Sequence, residues 1–118
     1  MKFLSYIIQD FFTFSGRINR LNYFYATATN YLLLFSIYKF LLNNLHSNLF
    51  IILFIVLLCL ALSTSGLSIN IRRLHDIDKS SWFLLISFIP FIGHAFLVYL
   101  FFAKGTVGPN KYGDEPIN

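Results

Sequence analysis

The sequence holds 118 residues, of which 57% are hydrophobic and only 12% are charged. A soluble domain of this size has too little interior to bury so much apolar surface. The composition therefore predicts an integral membrane protein and excludes both a small soluble domain and a disordered chain. The net charge is +4, and the Lys and Arg residues lie between apolar blocks, which favours anionic lipid headgroups over nucleic acid as the partner.

Taken in chain order, the apolar segments predict an all-α integral membrane protein with one membrane domain. Residues 1–14 place apolar side chains near helical spacing but are too short and interrupted to span a bilayer, so they predict an N-terminal interfacial amphipathic helix. Three later segments, 22–42, 49–69 and 82–102, each reach the length of about 20 residues that a spanning helix requires. The tail at 105–118 is rich in Gly, Pro and Asn and is predicted to be irregular.

The basic residues predict the orientation of these segments, because cytoplasmic loops of membrane proteins are enriched in Lys and Arg. With three membrane helices, one side would hold six basic residues and the N-terminus, and we expect this side to be cytoplasmic: Lys2, Arg17, Arg20, Arg72, Arg73 and Lys79. This topology places the tail, with Lys104 and Lys111, outside. In the alternative topology, the third segment is a re-entrant hairpin bent at Pro90–Gly93, and the tail returns to the cytoplasmic side.

A layer of small and polar residues is expected between the first two membrane helices. The first helix opens with ATATN at 26–30, and the second closes with STSGLSIN at 63–70. An antiparallel pair joined by the short turn at 43–48 brings these two stretches to the same depth. Small residues let the backbones approach closely there, and Ser, Thr and Asn form hydrogen bonds between helices.

Two charged clusters, at 14–23 and 72–82, hold the candidate binding residues. Arginine offers paired donors to phosphate oxygens, and the candidate contacts to an anion or a lipid headgroup are Arg17, Arg20, Arg72, Arg73 and Lys79. The alternative role is structural. Asp76 would pair along a helix with Arg72 at i,i+4 or Arg73 at i,i+3, and Asp78, Ser80 or Ser81 would cap the third helix. These clusters predict no catalytic residue, metal site or cofactor.

Four stretches of the chain carry a resemblance to a known family: FSGRINRLNYF, IRRLHDIDKSSWF, IPFIG and KGTVGPNKYGDEP. The chain resembles the YhaH-like small bacterial inner-membrane proteins, domain-of-unknown-function family 805, from Phe14 to Pro116. The resemblance implies a bacterial inner-membrane protein with several spans, and it implies no established activity. At Asn22 the family commonly carries an acidic residue, so an ion pair at this position does not carry over.

Together these observations predict a non-enzymatic, multi-pass inner-membrane module. We expect it to bind an anionic lipid headgroup, or the transmembrane helix of a partner protein, at its cytoplasmic face, and to form a homo-oligomer. One alternative is a small transporter or channel that uses the polar layer and His94 as a path. A second is an enzyme acting on a lipid-linked phosphate, for which Asp76 and Asp78 would be the candidate acids.

Overall fold

The computed structural model describes residues 12–116, and within them the regular structure is helical. Helix α1 covers Arg20–Asn43, and helix α2 covers Leu49–Asp76. A 3-10 helix covers Ser81–Phe88, and helix α3 covers Ile92–Phe102. The tail that follows is irregular up to residue 116, as predicted. The predicted interfacial helix at 1–14 lies outside the described residues except for its last three positions.

Helices α1 and α2 form an antiparallel pair. Asn19 caps α1, because its side chain accepts a hydrogen bond of 2.7 Å from the Asn22 backbone N–H. Near this end of α1, the Tyr23 hydroxyl donates to the Asn70 side chain at 2.7 Å. Two turns later, the Asn30 amide donates to the Leu62 carbonyl at 3.1 Å. The contact positions move backwards along α2 as they advance along α1, so the two helices run in opposite directions.

The predicted layer of small and polar residues lies between these two helices. A Cβ atom added at Gly66 would stand 3.3 Å from the Asn30 side-chain oxygen, so the helices are close at this point. Ser65 and Ser68 are buried on the same stretch of α2. The expected close approach of α1 and α2 is therefore present in the structure, and the small residues permit it.

Helix α2 is longer than its predicted segment, continuing from residue 69 to Asp76. Among the described residues, it alone is both long enough and apolar enough to cross a membrane. Its first half is strongly exposed, with Phe50 80% and Leu57 64% accessible, as expected for a surface in contact with lipid. The extension carries Arg72, Arg73 and Asp76 on helical backbone.

The third predicted membrane helix is not continuous, so the prediction of three membrane helices is corrected here. The segment forms a hairpin instead, as in the alternative topology. Between the 3-10 helix and α3 the chain turns at Ile89, Pro90 and Phe91. Pro90 disfavours helical backbone at Ile89, whose ψ is 124°, and Phe91 adopts a left-handed φ of 65°. The limbs then pack closely, since a Cβ at Gly93 would overlap the Ser87 carbonyl oxygen.

The buried apolar core lies at the end of the molecule that contains Asp76. Its members come from both helices of the pair, from both limbs of the hairpin and from the segment before α1. They are Ile18, Tyr23, Ile69, Leu74, Leu84 and Leu100. This core fixes the two charged clusters relative to each other, because each cluster contributes residues to it.

Candidate functional site

A buried carboxylate, Asp76, binds two arginines from opposite parts of the chain. Arg17 Nε and Nη2 lie 3.1 and 3.0 Å from Asp76 Oδ1. Arg73 Nη1 lies 2.5 Å from Asp76 Oδ2. The side chains of Arg17, Arg73 and Asp76 are 1%, 0% and 5% exposed. The predicted pair along the helix is therefore present, and a second arginine from 59 residues away completes a buried triad.

Arg17 also holds the C-terminal tail. Its Nη1 donates to the carbonyls of Gly108 and Gly113 at 2.7 and 3.2 Å, and its Nη2 donates to the Thr106 carbonyl at 2.5 Å. The Thr106 N–H in turn donates to the Asp76 carbonyl at 2.7 Å. The guanidinium therefore ties the tail to the end of α2 with both charged and neutral acceptors.

Arg73 binds the end of α3 to the end of α2, as Arg17 does for the tail. Its Nε donates to the Leu100 carbonyl at 2.9 Å, and its Nη2 donates to the Ala103 carbonyl. Its Nη1 lies 3.3 Å from the Ile18 carbonyl. These carbonyls include the last ones of α3, which lack partners within the helix. A charge buried in this way is tolerated because Asp76 and three carbonyls surround it.

Stacked aromatic rings connect the middle of the tail to the same end of α2. The rings of His75 and Tyr112 are parallel, with centroids 4.0 Å apart, and His75 Nδ1 lies 3.0 Å from the Gly16 carbonyl. The Asn110 amide donates to the His75 carbonyl at 2.9 Å. The three-helix topology placed this tail on the far side of the membrane from His75. The structure instead places the tail beside His75, because the hairpin returns the chain to the end of α2 from which it started.

The predicted site residues divide into buried and exposed groups. Arg17 and Arg73 come together on Asp76, and Arg72 is buried beside them, with its carbonyl accepting from the Ile18 N–H at 3.3 Å. Arg20, Lys79 and Asp78 are exposed. The Lys79 ammonium stands 5.7 Å from the Phe83 ring centroid.

Of the three predicted capping residues, Asp78, Ser80 and Ser81, it is Ser80 that caps the 3-10 helix. The Ser80 side chain accepts from the Trp82 N–H at 3.2 Å. Ser81 is the first residue inside the helix. Asp78 has a left-handed φ of 63° in the preceding turn, a conformation that Asp adopts more readily than most residues.

A cavity of about 950 Å³ opens beside the triad. Its walls combine apolar side chains from α1 and α3 with two exposed cations, Arg20 and Lys104. The aromatic and aliphatic part of the wall consists of Leu21, Phe24, Phe101, Phe102 and Val107. Glu115 and Pro116 of the tail border the same space. Sequence reasoning missed Lys104 as a site residue because it placed the tail on the opposite membrane face.

The end of the molecule that contains Asp76 is strongly basic. It holds every described charged residue except Lys39. The seven basic and four acidic residues leave a net charge of +3: Arg17, Arg20, Arg72, Arg73, Lys79, Lys104 and Lys111 against Asp76, Asp78, Asp114 and Glu115. Among the described residues, neither Arg20 nor Lys104 forms an ion pair with a carboxylate. These two cations therefore carry positive charge that the triad does not neutralise.

Comparison with known proteins places the chain in a family. The model of the family described as "Protein of unknown function (DUF805)" matches residues 11–114. The chain belongs to this family. This match confirms the resemblance to family 805 that the four sequence stretches showed.

Two relatives from Escherichia coli K12 are inner membrane proteins by name. Inner membrane protein YhaI is 35% identical over 112 residues, which cover 93% of this chain and 91% of that protein. Inner membrane protein YhaH is 41% identical over 49 residues, which cover 42% of this chain and 40% of that protein. No solved structure matches this DUF805 chain.

Proposed function

We propose that this chain is a non-enzymatic, multi-pass inner-membrane module that binds an anionic phospholipid at its basic end. The cavity beside the triad carries the proposal, because it joins apolar walls to two exposed cations, Arg20 and Lys104. Among the described residues neither cation forms an ion pair with a carboxylate, although Glu115 borders the same cavity. An anionic phospholipid has the same two parts, an acyl chain and a negative phosphate. The names of the relatives support the inner membrane as its location.

The orientation in the membrane follows from the charge distribution. The basic end carries a net charge of +3 among the described residues, and the positive-inside rule assigns such an end to the cytoplasm. Helix α2 is long and apolar enough to cross the bilayer, and we propose that α1 crosses beside it. Helix α1 is less apolar, since it carries Asn30 and Lys39, but its 24 residues extend about 36 Å at 1.5 Å per residue, and it pairs with α2. The segment at Arg17, and with it the N-terminus, would then be cytoplasmic.

The headgroup contacts in this proposal differ from those of the sequence prediction. Arg17 and Arg73 have their guanidinium N–H groups directed at Asp76 and at backbone carbonyls. They hold the walls of the cavity in place, and Arg20 and Lys104 bind the phosphate. Cations near an anionic membrane surface contribute about 1 kcal/mol each, so the pair would contribute about 2 kcal/mol, or roughly 30-fold in affinity.

Native mass spectrometry from a mild detergent tests this assignment. Wild-type protein titrated with phosphatidylglycerol should retain it more strongly than phosphatidylcholine. The double variant Arg20→Gln with Lys104→Gln should lose most of the difference. The control variant Lys79→Gln with Lys111→Gln removes the same charge from exposed sites outside the cavity wall, and it should bind as wild type does.

Two outcomes would contradict the proposal. If both double variants lose phosphatidylglycerol equally, net charge attracts the lipid and the cavity has no special role. If neither loses it, Arg20 and Lys104 are not the phosphate contacts. The same spectra report the number of chains per complex, which tests the expected homo-oligomer and any partner that copurifies.

A further inference from the structure

The hairpin formed by the 3-10 helix and α3 is too short to cross a bilayer. The 3-10 helix has eight residues and α3 has eleven. At rises of about 2.0 and 1.5 Å per residue, each limb extends about 16 Å. The hydrocarbon core of a bilayer is about 30 Å thick, so the hairpin reaches only about half of that depth.

Both limbs of the hairpin are anchored at the same end of α2. The chain enters the first limb through Lys79, whose backbone N–H donates to the Leu74 carbonyl at 2.9 Å. It leaves the second limb at Ala103, whose carbonyl accepts from Arg73. Leu84 and Leu100, one from each limb, are buried in the common core with Leu74. The hairpin therefore occupies the leaflet on the basic side.

The tip of the hairpin is suited to a hydrocarbon environment. Its side chains are apolar and exposed, and Phe91 is 89% accessible. Polar backbone groups in lipid must find partners inside the protein. Here the N–H groups of Ile89, Ile92 and Gly93 donate to carbonyls within the hairpin, and Pro90 has no N–H. Three of the four N–H groups from Ile89 to Gly93 are therefore paired inside the protein, which lowers the cost of placing the tip among acyl chains.

The molecule consequently has different widths in the two leaflets. On the basic side, α1, α2, both hairpin limbs and the segment before α1 share one core. On the other side, the described chain consists of the remaining halves of α1 and α2, joined by the turn at 44–48. Each extra helix adds a cylinder about 10 Å across, so the protein is a wedge whose broad part lies with the hairpin.

We propose that this chain recognises membrane curvature and favours a bilayer whose leaflet on the basic side is convex. A wedge fits such a leaflet with less strain, because the convex leaflet offers more area than its partner. This inference rests on the proposed crossing of α1 and α2 but not on the headgroup site. It depends on the shape of the protein, so it holds in a bilayer without anionic lipid. In a cell, the cytoplasmic leaflet is convex where the inner membrane bends into the cytoplasm.

Orientation in vesicles of different diameter tests the proposal. The full chain with Cys59→Ser and Val107→Cys carries one cysteine, at a tail position that is 72% exposed. It is reconstituted into small and large phosphatidylcholine vesicles and labelled with an impermeant maleimide before and after detergent. In small vesicles the outward-facing fraction of Val107→Cys should exceed one half and should fall towards one half as diameter increases. An outward fraction that does not change with diameter would overturn the proposal.

A second measurement checks the geometry on which the wedge depends. In the same Cys59→Ser background, Lys79→Cys marks the entrance to the hairpin and Val107→Cys marks its exit. Both cysteines should be protected in intact cells and should react in everted membrane vesicles. If the two positions react from opposite sides, the third segment crosses the bilayer and the wedge does not exist. Loss of phosphatidylglycerol binding with unchanged orientation would refute only the headgroup site.

Discussion

Replacing Asp76 with asparagine should destabilise the protein more than any other single carboxylate change among the described residues. The substitution keeps the side-chain shape but leaves two guanidinium groups, 1% and 0% exposed, without their counter-ion. Removing one partner of a buried ion pair costs about 3–5 kcal/mol. A chain near 100 residues loses about 4 °C of melting temperature per kcal/mol, so Asp76→Asn should lower the melting temperature by roughly 12–20 °C.

Thermal melting in a mild detergent, followed by circular dichroism, measures this shift. Asp78→Asn is the matched control, because Asp78 is exposed two residues away and asparagine tolerates its left-handed backbone. The control should change stability by less than about 0.5 kcal/mol. If Asp76→Asn and Asp78→Asn melt together, the Arg17–Asp76–Arg73 triad does not hold this end of the molecule.

Three further substitutions test the packing. Gly105→Ala should cost about 1–3 kcal/mol, because its Cβ would overlap the Asp76 carboxylate; an unchanged melting temperature would contradict the close approach of the tail. Gly66→Leu should likewise lower the melting temperature by forcing α1 and α2 apart, whereas Leu57→Ala, at a position 64% exposed, should not. If Leu57→Ala lowers the melting temperature and Gly66→Leu does not, the wrong face of α2 was assigned to the helix contact. Phe91→Gly should raise the melting temperature by a few degrees, since glycine relieves about 1 kcal/mol of backbone strain at φ 65°, and a clear loss of stability would refute this.

Local patterns predicted much of the helical structure. The bounds of α1 were expected to within two residues, because polar residues flank a mostly apolar segment of spanning length. The close contact at Gly66 followed from small residues at matching depth. Helical spacing predicted that Asp76 pairs with Arg72 or Arg73, and the structure shows the pair with Arg73. Each of these features depends on neighbours in sequence or on one short turn.

The features that sequence reasoning missed depend on where the third segment ends. Residues 82–102 are apolar except for Ser87 and His94, so composition alone does not distinguish a spanning helix from two short limbs. Once Pro90 and Phe91 turn the chain, the tail returns to Arg17, and Lys104 comes to the cavity wall. Pro90 and Gly93 were the available signals, and they supported the hairpin only as an alternative.

Photocrosslinking with an anionic lipid tests the central claim most directly. Phosphatidylglycerol carrying a diazirine on its acyl chain is added to the reconstituted protein, and the crosslinked peptides are mapped by mass spectrometry. Crosslinks should concentrate on Phe24, Phe101 and Phe102 of the cavity wall, and excess unlabelled phosphatidylglycerol should suppress them. Crosslinks at Phe54, on the exposed surface of α2, should resist competition. If the cavity positions and Phe54 crosslink and compete equally, the cavity holds no specific lipid and the proposed function is wrong.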